Sequence, residues 1–214
     1  MSVLVHNLDA FGVGLRTTLA LTLASFAGAL AIGIVIASMR VSPVAPLRAA
    51  GTAYVEIVRN IPLLVLLFLF YFGFPKIGIQ YRGFTSAVIV LSAYTGAFVA
   101  EAVRSGVNTV AQGQAEAARA IGLTFTQSMR LVVLPQALRA VVAPIGNIFV
   151  ALIKNTALAS TITVMELGFE YQLLITATAQ PVPVALGTAV CYLVLALSAG
   201  WLFSVIEHRV AIKR

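Results

Sequence analysis

The chain has 214 residues, of which 60% are hydrophobic and 10% charged, and its mean hydropathy is +1.01. A soluble domain carries about 25% charged residues, so a soluble globular enzyme is excluded, as are a disordered chain and a coiled coil, which need low hydrophobicity or charged flanking positions. The net charge is +7, from 14 Lys and Arg against 7 Asp and Glu; in so apolar a chain that excess reads as basic cytoplasmic loops, with no call for nucleic acid as a partner.

A helix crosses roughly 30 Å of hydrocarbon with about 20 apolar residues. Residues 1–10 read as a short external segment. Thr17–Met39 has no charge and predicts the first span; no Lys or Arg precedes Arg16, so a signal peptide is the poorer reading. Ser42, Pro43 and Pro46 mark a connection, and Tyr54–Phe74 predicts the second span, apolar after Arg59. Pro75, Gly78 and Gly83 mark an external turn before a third span over Phe84–Ala100. A cytoplasmic connection runs from about 105 to 139, and Ala140–Ile153 predicts a fourth span with a short uncharged part. Val182–Ile206 predicts the fifth. These runs are continuous and long, where barrel strands alternate over about ten residues. The expected class is therefore all-α, a polytopic membrane protein in one membrane domain, 1–214. The small residues Ala24, Ala27, Gly28, Ala29, Ala31 and Gly33 in the first span suit close helix packing.

The positive-inside rule puts the N-terminus outside. Arg40, Arg48, Arg104, Arg119, Arg130, Arg139, Arg209, Lys213 and Arg214 then fall in the cytoplasm, against Arg16, Lys76 and Arg82 at or near the outside. If Thr156–Ala179, which carries Glu166 and Glu170, also crossed, the basic tail would end outside. It is therefore read as a folded-back or interfacial external segment.

The cytoplasmic connection is the most polar region. Gln114–Ile121 is rich in Ala with Glu and Arg and predicts a helix. Gly122 supplies a left-handed stop. Thr124 and Gln127 have the spacing of a capping box, and Pro135 fits the first turn of the following helix. The result is helix, sharp turn, helix: an elbow suited to docking another protein, or an interfacial connector.

Glu116-Ala117-Ala118, then Gly122, then Val132-x-Leu134-Pro135 resembles the E-A-A-x(3)-G-x(9)-I-x-L-P motif of ABC importer permeases, with Val132 for the usual Ile. Tyr54–Leu64, Ala100–Val107 and Lys154–Ser160 resemble the Y-x-E-x-x-R-G-T-P-L-L, A-E-x-x-R-G-G-I and K-D/N-T-S-L-x-S stretches of polar amino-acid uptake permeases (the histidine, glutamine and glutamate group). The glutamate permeases of Gram-positive bacteria look nearest. The resemblance implies a type I importer fold in the bacterial plasma membrane. It also implies a coupling helix that docks on a dimer of ATPase subunits, with Glu116, Ala117, Ala118 and Gly122 shaping the contact and Arg119 offering charge pairing. Further implied partners are a second permease subunit, identical or homologous, an extracellular substrate-binding protein, and the amino acid itself.

Charges in lipid are costly unless they face protein or water. Arg59 has two readings: an interfacial ion pair with Glu56 on the same helix face, or a lining residue of the passage that meets a substrate carboxylate. Pro62 is expected to break the helix beside it, and Asn60 stands where the family has Gly. Glu101 and Arg104 read as a structural pair. The remaining candidates for the substrate path are Lys154, Asn155, Thr156 and Ser160, towards the outer end of the fourth span. Relatives for cationic amino acids often have Asp at position 155; Asn155 removes that anion and leaves Lys154 to attract an acidic substrate, whereas Glu166 and Glu170 weigh mildly the other way unless simply solvated. No phosphate loop of the G-x-x-x-x-G-K-[ST] type occurs; no catalytic residue, cofactor or metal is expected, and His6, His208 and the lone Cys191 form no constellation. The leading expectation is the permease subunit of an ATP-driven importer for polar amino acids, most of all glutamate. An ATP-independent channel or ion-coupled transporter is the alternative, and it needs no elbow.

Overall fold

The computed structural model describes residues 5–210; the tail charges Lys213 and Arg214 lie outside the described residues. Every regular element among the described residues is helical. They are α1 (Leu8–Val41), α2 (Ala45–Asn60), α3 (Leu63–Phe68), α4 (Gly83–Asn108), α5 (Gln112–Ala120), α6 (Phe125–Ser128), α7 (Leu134–Asn155), α8 (Leu167–Thr178) and α9 (Pro181–Val210). A π turn (Leu69–Gly73) and a 3-10 turn (Phe74–Ile77) prolong α3. A second π turn (Met129–Val133) joins α6 to α7, and a 3-10 turn (Thr156–Ile162) prolongs α7, so that Phe125–Ile162 forms one long rod. Among the described residues four helices are long and apolar enough to cross a bilayer, and the bent pair Ala45–Asn60 with Leu63–Ile77 counts as a fifth when taken as one span.

The second span departs from expectation. It is no continuous helix over Tyr54–Phe74: α2 and α3 meet at 100°. Ile61 (φ −94°, ψ 131°) and Pro62 (φ −58°, ψ 132°) are extended. A residue before proline avoids the helical region, and proline has no N–H to continue the ladder. Leu63–Ile77 alone is about 22 Å long at roughly 1.5 Å per residue, short of the hydrocarbon thickness of about 30 Å. α2 instead packs on the inner ends of α1 and α4. Val55 is buried with Ala37, Ala97 and Ala100, and the Tyr54 hydroxyl donates to the Ala93 carbonyl at 2.6 Å.

α1 and α4 form the central seam. The buried residues of α1 (Thr18, Leu21, Thr22, Ser25, Ala29, Gly33 and Ala37 among them) recur every three or four positions, which is one helix face. A methyl at Gly33 would stand 2.4 Å from Val99 Cγ1, so the backbones approach closely only because the side chain is missing. The small residues expected to pack are divided: Gly28, Ala29 and Gly33 turn inward, whereas Ala24, Ala27 and Ala31 face out. Further in, Gly106 of α4 lets Val141 of α7 close up in the same way, with a methyl there 2.2 Å from Val141 Cγ1.

α8 folds back against the outer end of the bundle, as expected. Leu167 and Leu174 are buried with Phe11 and Val184, and Ala179 in the left-handed region (φ 53°) turns the chain into α9. α9 packs on α7 where Phe203 meets Phe149, ring centroids 5.4 Å apart. Its Leu186, Val190, Leu193, Leu197 and Trp201 are exposed, a face suited to lipid.

Candidate functional site

Three groupings hold the residues singled out by the sequence. The first is the elbow. α4 runs on to Asn108 and α6 opens the long rod that carries the fourth span, so α5 and the turn after it are the part of the connection outside these two long helices. The α5 carbonyls are closed by Ile121 N–H to Ala117 O (3.2 Å), Gly122 N–H to Arg119 O (3.0 Å) and Leu123 N–H to Ala118 O (3.1 Å). Gly122 has φ +87°, a conformation that favours glycine. The capping box is complete: Gln127 N–H donates to Thr124 Oγ1 (3.3 Å), and Thr124 N–H to Gln127 Oε1 (2.8 Å). Glu116, Ala117 and Arg119 are exposed, and Ala118 is buried. Two large apolar side chains flank the turn in the open, Ile121 at 79% and Phe125 at 63% exposure.

The second grouping lies at the same, basic end. Glu101 accepts from Arg40 Nη1 at Oε2 (2.5 Å) and from Arg104 Nη2 at Oε1 (2.5 Å). Arg59 Nη1 stands 3.7 Å from Glu101 Oε2, too far for a hydrogen bond, and its guanidinium lies 5.1 Å from the Phe98 ring centroid. The Glu101–Arg104 pair matches expectation. The Glu56–Arg59 pair does not form: Glu56 is exposed, while the packing of Val55 and Val58 on α4 carries Arg59 over Phe98 towards the better-shielded Glu101. Arg40, read from sequence as a topology charge alone, is the most buried cation of the group, its side chain 7% exposed. Arg59 and Glu101 line a cavity of about 380 Å³ between α2, α4 and α7.

The third grouping is at the outer end. Lys154 is exposed and Asn155 half-buried. The hydroxyls of Thr156 and Ser160 are buried and donate to Ile153 O and Ala157 O, both at 2.7 Å. Asn60 Nδ2 donates to Glu56 O (2.7 Å) within its own helix. Leu63 and Leu67, just past the break, share a buried cluster with Leu152, Ala159 and Ile162, and the Tyr71 hydroxyl lies 3.3 Å from Thr163 Oγ1, so α3 and its π turn run along the outer part of the 125–162 rod. Arg59 lines the cavity between α2, α4 and α7, and none of the residues at 154–160 lines it.

Of the two readings of Glu166 and Glu170 the solvated one falls away, because both are buried. Glu166 Oε1 accepts from the Phe169 N–H (3.0 Å) and caps α8; Oε2 accepts from the Tyr192 hydroxyl and from Thr18 Oγ1 (3.5 Å). Thr18 Oγ1 in turn accepts from the Leu167 N–H (3.2 Å). Burial pushes the Glu166 carboxyl above its ordinary range, against the pull of these hydrogen bonds, and burial raises Glu170 likewise. Among the described residues no group of three or more His, Cys, Asp or Glu could hold a metal ion.

Residues 29–212 match the family described as binding-protein-dependent transport system inner membrane component. A probable glutamine ABC transporter permease protein of Bacillus subtilis, GlnM, is 39% identical over 197 residues, covering 92% of this chain and 91% of its own. The glutamate transport system permease protein GluC of Corynebacterium glutamicum is 40% identical over 210 residues, covering 92% of each. A crystal structure of an amino acid ABC transporter with histidines superposes with a TM-score of 0.92 at 33% identity, covering 96% of both chains. The inward-facing MetNI methionine transporter shares the fold, with a TM-score of 0.79 at 24% identity.

Proposed function

The chain belongs to the family of binding-protein-dependent transport system inner membrane components, and on that premise we propose that it is the permease subunit of an ATP-driven amino-acid importer whose substrate is glutamate. The observation that carries the transport reading is the elbow. A rigid turn with two bare apolar side chains, Ile121 and Phe125, on an otherwise polar connection is a docking feature. Glu116, Ala117, Ala118, Arg119 and Gly122 meet a groove of an ATPase subunit. Two permease subunits, identical or homologous, enclose the pathway, each seated on one ATPase, and an extracellular binding protein delivers the amino acid. ATP binding biases the pair between inward- and outward-open states. The chain itself performs no chemistry. Arg59, Asn60, Lys154, Asn155, Thr156 and Ser160 line the substrate path.

Three features favour glutamate over a cationic amino acid. GluC of Corynebacterium glutamicum is among the relatives. Position 155 is Asn. Glu166 is sunk among hydroxyl and N–H donors, which withdraws it as an exposed anion. The test is uptake into proteoliposomes holding the purified complex with its ATPase and binding protein, with the twenty amino acids as competitors. Gly122→Pro and Glu116→Lys are expected to let ATP hydrolysis continue while uptake falls about tenfold or more, with membrane insertion intact. Normal uptake by both variants sinks the coupling assignment, and glutamate failing to compete sinks the substrate.

A further inference from the structure

The cavity at the basic end is lined by Arg59 and Glu101, and Arg40 and Arg104 stand on Glu101 behind it. Three guanidinium groups, Arg40, Arg59 and Arg104, surround one carboxylate, Glu101. Both carboxylate oxygens are already taken by Arg40 and Arg104. The cluster therefore keeps a positive excess in a part-buried place, where an entering anion is attracted with less screening than in open water. The buried Nε atoms of Arg40 and Arg104 have no hydrogen-bond partner. Arg59, 39% exposed in its side chain, makes no hydrogen bond among the described residues and lines the cavity. It presents a planar fork of donors to whatever enters.

The opposite wall supplies an acceptor. Pro144 lies inside α7 and has no N–H, so the Ala140 carbonyl, four residues earlier, loses its regular helical donor. Ala140 and Pro144 both line this cavity. A lone anion would be repelled by that carbonyl. A molecule bearing a carboxylate and an ammonium on one carbon satisfies both walls: carboxylate on the Arg59 fork, ammonium on the Ala140 carbonyl. Phe98 and Ile148 complete an apolar wall, and a volume of about 380 Å³ is within the range of small-molecule sites, roughly 300–1,000 Å³.

We propose that this cavity is an amino-acid site at the cytoplasmic mouth, which holds the departing substrate by its α-carboxylate and α-ammonium and does not read its side chain. This rests on the permease reading above and adds to it a place: selection among amino acids happens elsewhere, and this site takes glutamate and glutamine alike.

The complete transporter, with its ATPase subunits but without binding protein, is placed in phosphatidylcholine nanodiscs, and binding of radiolabelled L-glutamate and L-glutamine is measured by equilibrium dialysis. The two dissociation constants are expected to agree within about threefold. 4-Aminobutyramide, which lacks the α-carboxylate, is expected not to compete. Arg59→Gln removes the fork while Glu101 keeps Arg40 and Arg104, so the protein stays folded; it is expected to weaken both ligands about tenfold or more. Pro144→Ala returns an N–H to the Ala140 carbonyl and is expected to weaken both several-fold. Unchanged affinities in both variants overturn the proposal, as does glutamate binding without glutamine, or displacement by inorganic phosphate as effective as by amino acid. ATP-driven uptake by the wild-type complex is run in parallel. Uptake with unchanged binding in the variants refutes the cavity alone, whereas no uptake of any amino acid refutes the permease reading beneath it.

Discussion

Gly106→Ala is the sharpest probe of how the spanning helices meet. A methyl there would lie 2.2 Å from Val141 Cγ1, while Val141 Cβ would be 3.6 Å away. The first distance is far inside the carbon–carbon optimum of about 3.5–4.0 Å; the second is an ordinary contact. Overpacking of this kind costs about 1–3 kcal/mol, and the replacement of a helical Gly by Ala returns up to about 1 kcal/mol. The balance is a net loss of about 0–2 kcal/mol, and about 1–3 kcal/mol relative to a glycine-to-alanine change in open space. Gly12→Ala is the control: no atom lies within 4 Å of its added methyl, so that variant is expected to be neutral or more stable. Val141→Ala alone empties space at a buried position and costs about 1–2 kcal/mol. In the double variant the Gly106 methyl occupies space vacated by the Val141 methyls, so the two losses do not add. Equilibrium unfolding in mixed micelles gives the four free energies of the cycle. A Gly106→Ala protein as stable as Gly12→Ala, or a double variant at the plain sum of its singles, would refute this account of the α4–α7 contact.

Two further outcomes follow from buried charge. Glu101→Ala leaves Arg40, almost fully enclosed, with no counter-charge and is expected to cost about 3 kcal/mol in the same unfolding measurement; Glu101→Gln, which retains one acceptor, should cost less. Glu166 and Glu170 bind their protons more tightly folded than unfolded, because burial raises both. The native state thus gains most below the ordinary carboxylate range and loses that gain as pH rises through the raised values. Thermal melts in detergent across about pH 4–8 should fall with pH for the wild type and flatten in Glu166→Gln/Glu170→Gln. A wild-type melt that climbs across this window contradicts the assignment.

Much of the architecture is carried by local signals. Uncharged runs marked the spans, and the elbow was readable because Gly122, Thr124 and Gln127 act on neighbours within four residues. The 100° bend was half legible: Pro62 announces a break, but its angle depends on the packing of α2, where Gly51 admits Arg40 and Ile36 of α1 at distances a side chain would forbid, and Tyr54 and Val55 meet α4. Charge partners were the weakest part. Helical spacing offered Glu56 to Arg59, whereas the nearest carboxylate, Glu101, comes from a helix beyond the next turn. Nothing local links Thr18, Glu166 and Tyr192, because their meeting is made by the return of α8 over the outer end. An acidic residue in an external segment looks solvated until that return is known.

That three-way meeting bears on how the chain is made. Synthesis delivers Thr18 first, Glu166 much later and Tyr192 last, within the final helix. Until α9 has entered the bilayer, the Glu166 carboxylate lacks the Tyr192 hydroxyl and sits at the membrane edge with an incomplete set of donors. A chain cut short before α9 therefore leaves Glu166 with one donor fewer and the folded-back helix without the Val184 side of its packing, while Phe11 and Thr18 of α1 still hold it.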